Sequence, residues 1–159
     1  MFEDTKVPEG INKDVLEHIM HPKNYGKLDN PSGVGVALDE RTGEYVIFYI
    51  LLENDLLTSL RFATNGCQDT LVVGSMFSEM VENNTIEYAQ TAIEKMKLRL
   101  GKLTTQQEIC ANIVLGAFGA ATINVVHRAD GIKEELHLVK MEQSCEIEDK
   151  IASHIEESR

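Results

Sequence analysis

A chain of 159 residues has room for one domain, with or without a short appendage. Its 43% hydrophobic and 26% charged content is that of a soluble globular protein, and a domain of this size needs no disulfide staple. The formal net charge of -11 speaks against a nucleic-acid backbone or an anionic membrane surface as the main partner, because phosphate binding needs clustered Lys and Arg.

The first ten residues show no basic segment followed by an apolar one, so a loose N-terminal arm is expected, without a secretory signal, on a cytoplasmic chain. Ile11, Val15, Leu16 and Ile19 then recur at helical spacing, with Asn12 as cap and Pro22 as terminator. A Gly/Asn/Pro-rich loop follows. "GVGVAL" predicts a short strand, and "EYVIFYILL", Glu44 to Leu52, a strand covered on both faces or strongly twisted. "ENDL" supplies a turn into "TSLRFAT", where Leu60 and Phe62 alternate with Arg61 and Ala63. From Thr70 the period changes to helical, through Val72, Val73, Met76, Phe77, Met80 and Val81.

Asn84 reads as the cap of a short helix, with Glu87 placed to close a capping box. The basic amphipathic "EKMKLRLGKL" should end at Gly101. Thr104 or Thr105 can cap the next helix, with Gln107 or Glu108 reaching back. That helix carries Cys110 in an early turn and continues into the apolar run Ala111 to Val126, which reads as a buried helix because it is short and interrupted by Asn112, Thr122 and Asn124. Gly116 and Gly119 inside it predict a close backbone approach. Asp130-Gly131 makes a turn, "IKEELHLV" fits either strand or helix, and the acidic end is a terminal helix at most. The expected organisation is an arm over 1–10, a domain over 11–129 and an acidic extension over 130–159. The expected fold is α+β, a small antiparallel sheet with helices packed on one face.

Three widely spaced cysteines form no disulfide framework. Cys67 stands at a strand-to-helix turn, where the positive end of the following helix favours thiolate; Cys110 has a similar, weaker setting. Two helix starts on one sheet edge could bring both thiols together as a nucleophilic or metal site, although spacing alone equally suits buried structural thiols. Cys145 lies in the acidic tail as a bystander. His18 and His21 have the spacing of a metal pair, but beside Pro22 they read as a helix-end packing device. His127, His137 and His154 have no partner in sequence. No G-x-S-x-G motif or phosphate loop is present, and Ser75 falls inside an apolar helix.

Four blocks in order resemble the IscU/NifU N-terminal domain, the iron–sulfur cluster assembly scaffold family. "VLEHIMHPKNYGKL" is similar to that family's helix ending in H-x-x-x-P-x-N-x-G, with His18, Pro22, Asn24 and Gly26 in those places. "LRFATNGCQDT" is similar to its R-F-x-T-x-G-C strand end, and "NNTIEYAQTA" to its G-K-T-L-x-E-A-x segment. "EICANIVLGAFGAA" puts Cys110 at the family's last core cysteine. The resemblance spans Ile11 to Val126 and implies a three-stranded antiparallel sheet with helices on one face.

It also implies a site for zinc, iron or a labile [2Fe–2S] cluster, built on Cys67 and Cys110 with Glu44 in place of the family's Asp. Asp39, Glu40 or Asp69 offers a further oxygen. Thr42 replaces the family's first cysteine and Ile109 its histidine, so this is a divergent member. A cysteine desulfurase and apo iron–sulfur proteins are the implied partners, and a homodimer sharing one cluster would supply missing ligands. The alternative is a degenerate relative acting as an interaction or regulatory module. A thiol enzyme using Cys67 lacks a visible base.

Overall fold

The computed structural model describes residues 13–101 and 104–141. Asn12, Cys145, His154, the expected arm and the expected terminal helix lie outside the described residues. The element order is α1 (Lys13–Met20), β1 (Gly33–Asp39), β2 (Glu44–Glu53), β3 (Leu56–Thr64), α2 (Gln68–Val81), α3 (Ile86–Leu100), α4 (Thr105–Ala129) and β4 (His137–Lys140). The fold is α+β, as expected.

Strands β1, β2 and β3 form the expected antiparallel meander, but the sheet has four strands in the order β3-β2-β1-β4. β4 pairs parallel to β1, with Gly35 opposite His137 and Leu38 opposite Lys140. Residues 137–140 therefore return to the sheet, and "IKEELHLV" resolves as a turn followed by a strand. The β2–β3 turn places Asn54 and Asp55 at φ 53° and 66°, the left-handed pair that a tight hairpin requires.

Among the described residues, helices cover one face of β2. Val46, Phe48 and Ile50 are fully buried, while Ile47, Tyr49 and Leu51 between them are half-buried. The strand lacks strict alternation because its outer face carries apolar residues as well, which is what made both faces look covered. Phe48 is the hub of the core. Its ring packs on Phe62, Phe77 and Phe118 at centroid distances of 5.8, 6.0 and 5.7 Å, joining the sheet to α2 and α4.

The close backbone approach lies elsewhere than expected. A β-carbon at Gly35 would run into the Ala117 carbonyl and the Ala121 backbone nitrogen, so β1 lies directly under α4. Gly119 has open space beside it, and Gly116 faces the Met141 side chain. The glycines that matter are on the strand, and small residues answer them on the helix. This contact also defines α4: by length and composition its 25 residues could cross a membrane, yet it lies on the sheet with 56% of its apolar window buried.

The caps differ in one place. Thr104 and Gln107 form the expected reciprocal box at the start of α4 (3.1 and 3.0 Å). At α3 the capping hydroxyl is that of Thr85, which accepts from the Tyr88 amide at 3.0 Å. Asn84 turns back and donates to the Met80 and Glu82 carbonyls, closing α2 instead. The expected short helix and the basic segment after it form one continuous α3, ended by Gly101 at φ 77°.

Candidate metal centre

The loop between β3 and α2 is pinned before it reaches Cys67. Thr64 Oγ1 donates to the Tyr45 carbonyl (2.7 Å) and accepts from the Gly66 amide (2.9 Å). Asn65 accepts from the Tyr45 amide (2.8 Å) and donates to the Gly43 carbonyl (3.0 Å). The β1–β2 turn and the start of α2 are thereby one rigid corner. Cys67 is the N-cap residue of α2, in extended conformation, and its side chain makes no capping hydrogen bond. Its sulfur instead faces Cys110 on the second turn of α4, with Sγ–Sγ 3.8 Å.

Asp69, in the first turn of α2, completes the group: one carboxylate oxygen and both sulfurs lie within 4.8 Å of one another. Cys67 is exposed and Cys110 buried, so the pair has one open side. Two further side chains touch the sulfurs. Thr70 Oγ1 is 3.8 Å from Cys67 Sγ, and Gln106 Nε2 donates to Cys110 Sγ at 3.6 Å. Neither stood out in the sequence. The signal was their spacing, three after Cys67 and four before Cys110, one helical turn in each case.

Glu44 is placed differently from the expectation. Its carboxylate accepts from Thr70 Oγ1 at 2.8 Å and lies against Gly66, where any β-carbon would strike it. It orients Thr70, which in turn meets the thiol; Asp69 is the carboxylate gathered with the sulfurs. Asp39 is buried and accepts from its own turn, from the Arg41 amide at 3.0 Å and the Arg41 guanidinium at 3.1 Å. Glu40 pairs with Lys140 at the surface (3.3 Å). Thr42 Oγ1 accepts from the Glu44 amide, and Ile109 is buried, so these two positions serve the turn and the core.

Burial pushes the Cys110 thiol up to about 12, and the neighbouring Cys67 adds to the effect, while a hydrogen bond from Thr70 opposes it. The expected thiolate-favouring helix start does not act here. Cys110 lies beyond the first turn of α4, where the dipole has faded, and desolvation dominates.

His18 and His21 are not a ligand pair. His18 is 1% exposed, with Nδ1 2.6 Å from Ser75 Oγ and Nε2 3.3 Å from Glu79, and so ties α1 to α2. Ser75 also accepts from the Lys23 amide (2.7 Å) and is fully buried, which closes it to any substrate. Asn24 and Gly26 dock this segment onto β3 through reciprocal backbone bonds with Phe62 (2.9 and 2.8 Å). The first and second sequence blocks are therefore in contact.

An α+β domain that sets a pair of facing thiols and a carboxylate at the start of two helices gathers donor types that soft or borderline cations take. The chain belongs to the NifU-like N terminal domain family, whose profile matches residues 11–130. It is 32% identical over 126 residues to the iron-sulfur cluster assembly scaffold protein IscU of Aquifex aeolicus, covering 77% of this chain and 80% of that one. It is 30% identical over 136 residues to an Archaeoglobus fulgidus protein of the same description, IscU 1, covering 81% and 89%. The fold matches the crystal structure of a nitrogen-fixing NifU-like protein (N-terminal) from Brucella abortus with a TM-score of 0.57 at 15% identity, over 74% of this chain and 94% of that one.

Proposed function

We propose that this protein is an iron–sulfur cluster assembly scaffold that holds iron, zinc or a labile [2Fe–2S] cluster as cargo on Cys67 and Cys110, with Asp69 as third ligand. The observation that carries the reading is the 3.8 Å separation of the two sulfurs. A tetrahedral ion with metal–sulfur bonds of about 2.3 Å has a sulfur–sulfur edge of about 3.8 Å. The thiols thus stand at the spacing a cation needs, without a move of either helix.

The ligand set is short of the four protein ligands that clusters usually take. Glu44 is one hydrogen bond away, through Thr70, and a second copy of the chain can close the set from the open side beside Cys67. Weak retention suits cargo that must leave again. The protein's part is to hold and present rather than to catalyse. An apolar cleft of about 320 Å³, lined by Pro22, Tyr25, Thr64, Gly66 and Leu71, adjoins the loop that carries Cys67. It offers a seat for a partner that delivers sulfur, such as a cysteine desulfurase, or for an apo iron–sulfur protein that collects the product. The family match supports the same assignment.

Anaerobic reconstitution with iron and sulfide tests it. Sulfur-to-iron charge-transfer bands and acid-labile sulfide are expected in the native protein and absent from Cys67→Ser/Cys110→Ser. A native protein that stays colourless and takes up no more iron or zinc than Cys67→Ser/Cys110→Ser would favour the interaction-module reading, which Thr42 and Ile109 favour by their non-ligating roles.

A further inference from the structure

His127, Glu134 and His137 lie within eleven residues of one another and converge where the end of α4 meets the start of β4. His127 Nδ1 lies 2.9 Å from Glu134 Oε1, and His137 Nδ1 lies 3.2 Å from Glu134 Oε2. The three ligand atoms sit within 4.8 Å of one another, and the two rings stand nearly perpendicular with centroids 5.2 Å apart. All three side chains are partly exposed, so solvent and ions reach them.

The carboxylate is held in place from behind. Asn124, fully buried, accepts from the Val34 amide (2.9 Å) and donates to both the Glu134 backbone carbonyl (3.1 Å) and Oε1 (2.8 Å). Arg128 donates to the carbonyls of Glu134 (3.1 Å), Glu135 (2.6 Å) and Pro31 (2.9 Å). Four hydrogen bonds from Asn124 and Arg128 thus fix the backbone and side chain around one carboxylate that has two imidazoles in front of it, and a fifth ties Arg128 to Pro31. Such outer partners are what orients ligands in metal sites.

We propose that His127, Glu134 and His137 form a second metal site, distinct from the Cys67–Cys110 pair, that takes one divalent cation of the zinc type and ties α4 to β4. Two imidazoles and one carboxylate, with a fourth position open to water, are a borderline donor set that suits zinc and excludes calcium or magnesium. Zinc bonds of about 2.0–2.1 Å give ligand–ligand edges of about 3.3–3.4 Å; each imidazole nitrogen lies within 3.2 Å of one of the two carboxylate oxygens, and one ligand atom from each residue falls within 4.8 Å of the others, so small side-chain shifts gather them around an ion. Where an Nδ1 carries the proton shared with the carboxylate, entry of the ion shifts that proton to Nε2 of the same ring and the ion takes its place between nitrogen and oxygen. Cations are favoured at the C-terminal end of a helix, where His127 stands. The site would staple β4, a strand of four residues that forms one edge of the sheet.

The test uses the untagged Cys67→Ser/Cys110→Ser protein, so that the outcome is independent of the scaffold assignment. Zinc is titrated against a chromophoric competitor, and thermal unfolding and amide exchange of β4 are followed with and without zinc. About one zinc per chain, a raised melting temperature and slower exchange in β4 are expected. Glu134→Gln and His137→Gln, made separately and checked for a native circular-dichroism spectrum, should each weaken binding by at least about tenfold. Cobalt added to the protein with its histidines intact should give d–d bands without thiolate charge transfer and should shift the His127 and His137 ring resonances. Failure of the Cys67→Ser/Cys110→Ser protein to bind zinc, affinity unchanged by both ligand variants, or cobalt shifts confined to other histidines would each overturn the proposal.

Discussion

Raising the pH from about 6.5 to about 8.5 in a zinc titration interrogates the buried thiol of Cys110. Burial holds that thiol up at about 12, so it carries its proton throughout the range. Removing the proton at neutral pH costs on the order of 7 kcal/mol, at about 1.4 kcal/mol per pH unit. A structural zinc–thiolate site releases about 10–16 kcal/mol, so the metal wins, but it must displace the proton. The logarithm of the zinc affinity should therefore rise by at least about one unit per pH unit, with any proton lost from Cys67 adding to the slope. The assay is competition with a chelator whose own protonation is known, in a Glu134→Gln/His137→Gln background that lacks the second site, with and without Cys110→Ser. A slope near zero, or a Cys110→Ser variant that keeps both slope and affinity, would refute the claim that Cys110 ligates. The same shift has a consequence without metal. The folded state keeps the proton that the unfolded chain loses from about pH 9 upward, so the metal-free protein should lose stability as pH rises from there toward 12.

Three other outcomes follow from the geometry. Gly66→Ala should push the Glu44 carboxylate off Thr70 and lower zinc affinity about tenfold, with a smaller effect on the melting temperature; unchanged affinity would remove Glu44 and Thr70 from any positioning role. Gly35→Ala should destabilise by about 1–3 kcal/mol or more in urea unfolding, because its β-carbon meets the α4 backbone rather than a side chain that can turn away. Iodoacetamide should modify Cys67 well before Cys110 at neutral pH, read by peptide mass, and bound zinc should protect both; equal rates would contradict the burial of Cys110.

Local chemistry by itself settled much of this protein. The hairpin turn at Asn54-Asp55, the reciprocal cap at Thr104 and Gln107, and the helical stripe through Val72 to Val81 depend on neighbours within a few residues. Periodicity and turn residues report such features directly. The blocks around His18, Cys67 and Cys110 also placed the thiols on a scaffold family's ligand positions, and the family match bears that membership out.

What the tertiary structure decided is everything that depends on who meets whom. β4 has four residues and pairs with a strand a hundred residues earlier, so no local pattern marks it. Asn84 and Thr85 both suit a cap, and the choice fell to Thr85 because Asn84 is occupied by the end of α2. Asp69 rather than Glu44 joins the thiols, since Gly66 lets Glu44 pass behind the loop to Thr70. Burial of Cys110 reversed the effect expected from its helix start. His127 and His137 had no partner along the chain until the turn at Gly131 brought Glu134 between them. In each case residues set what chemistry was on offer, and the packing of elements against one another chose the partners.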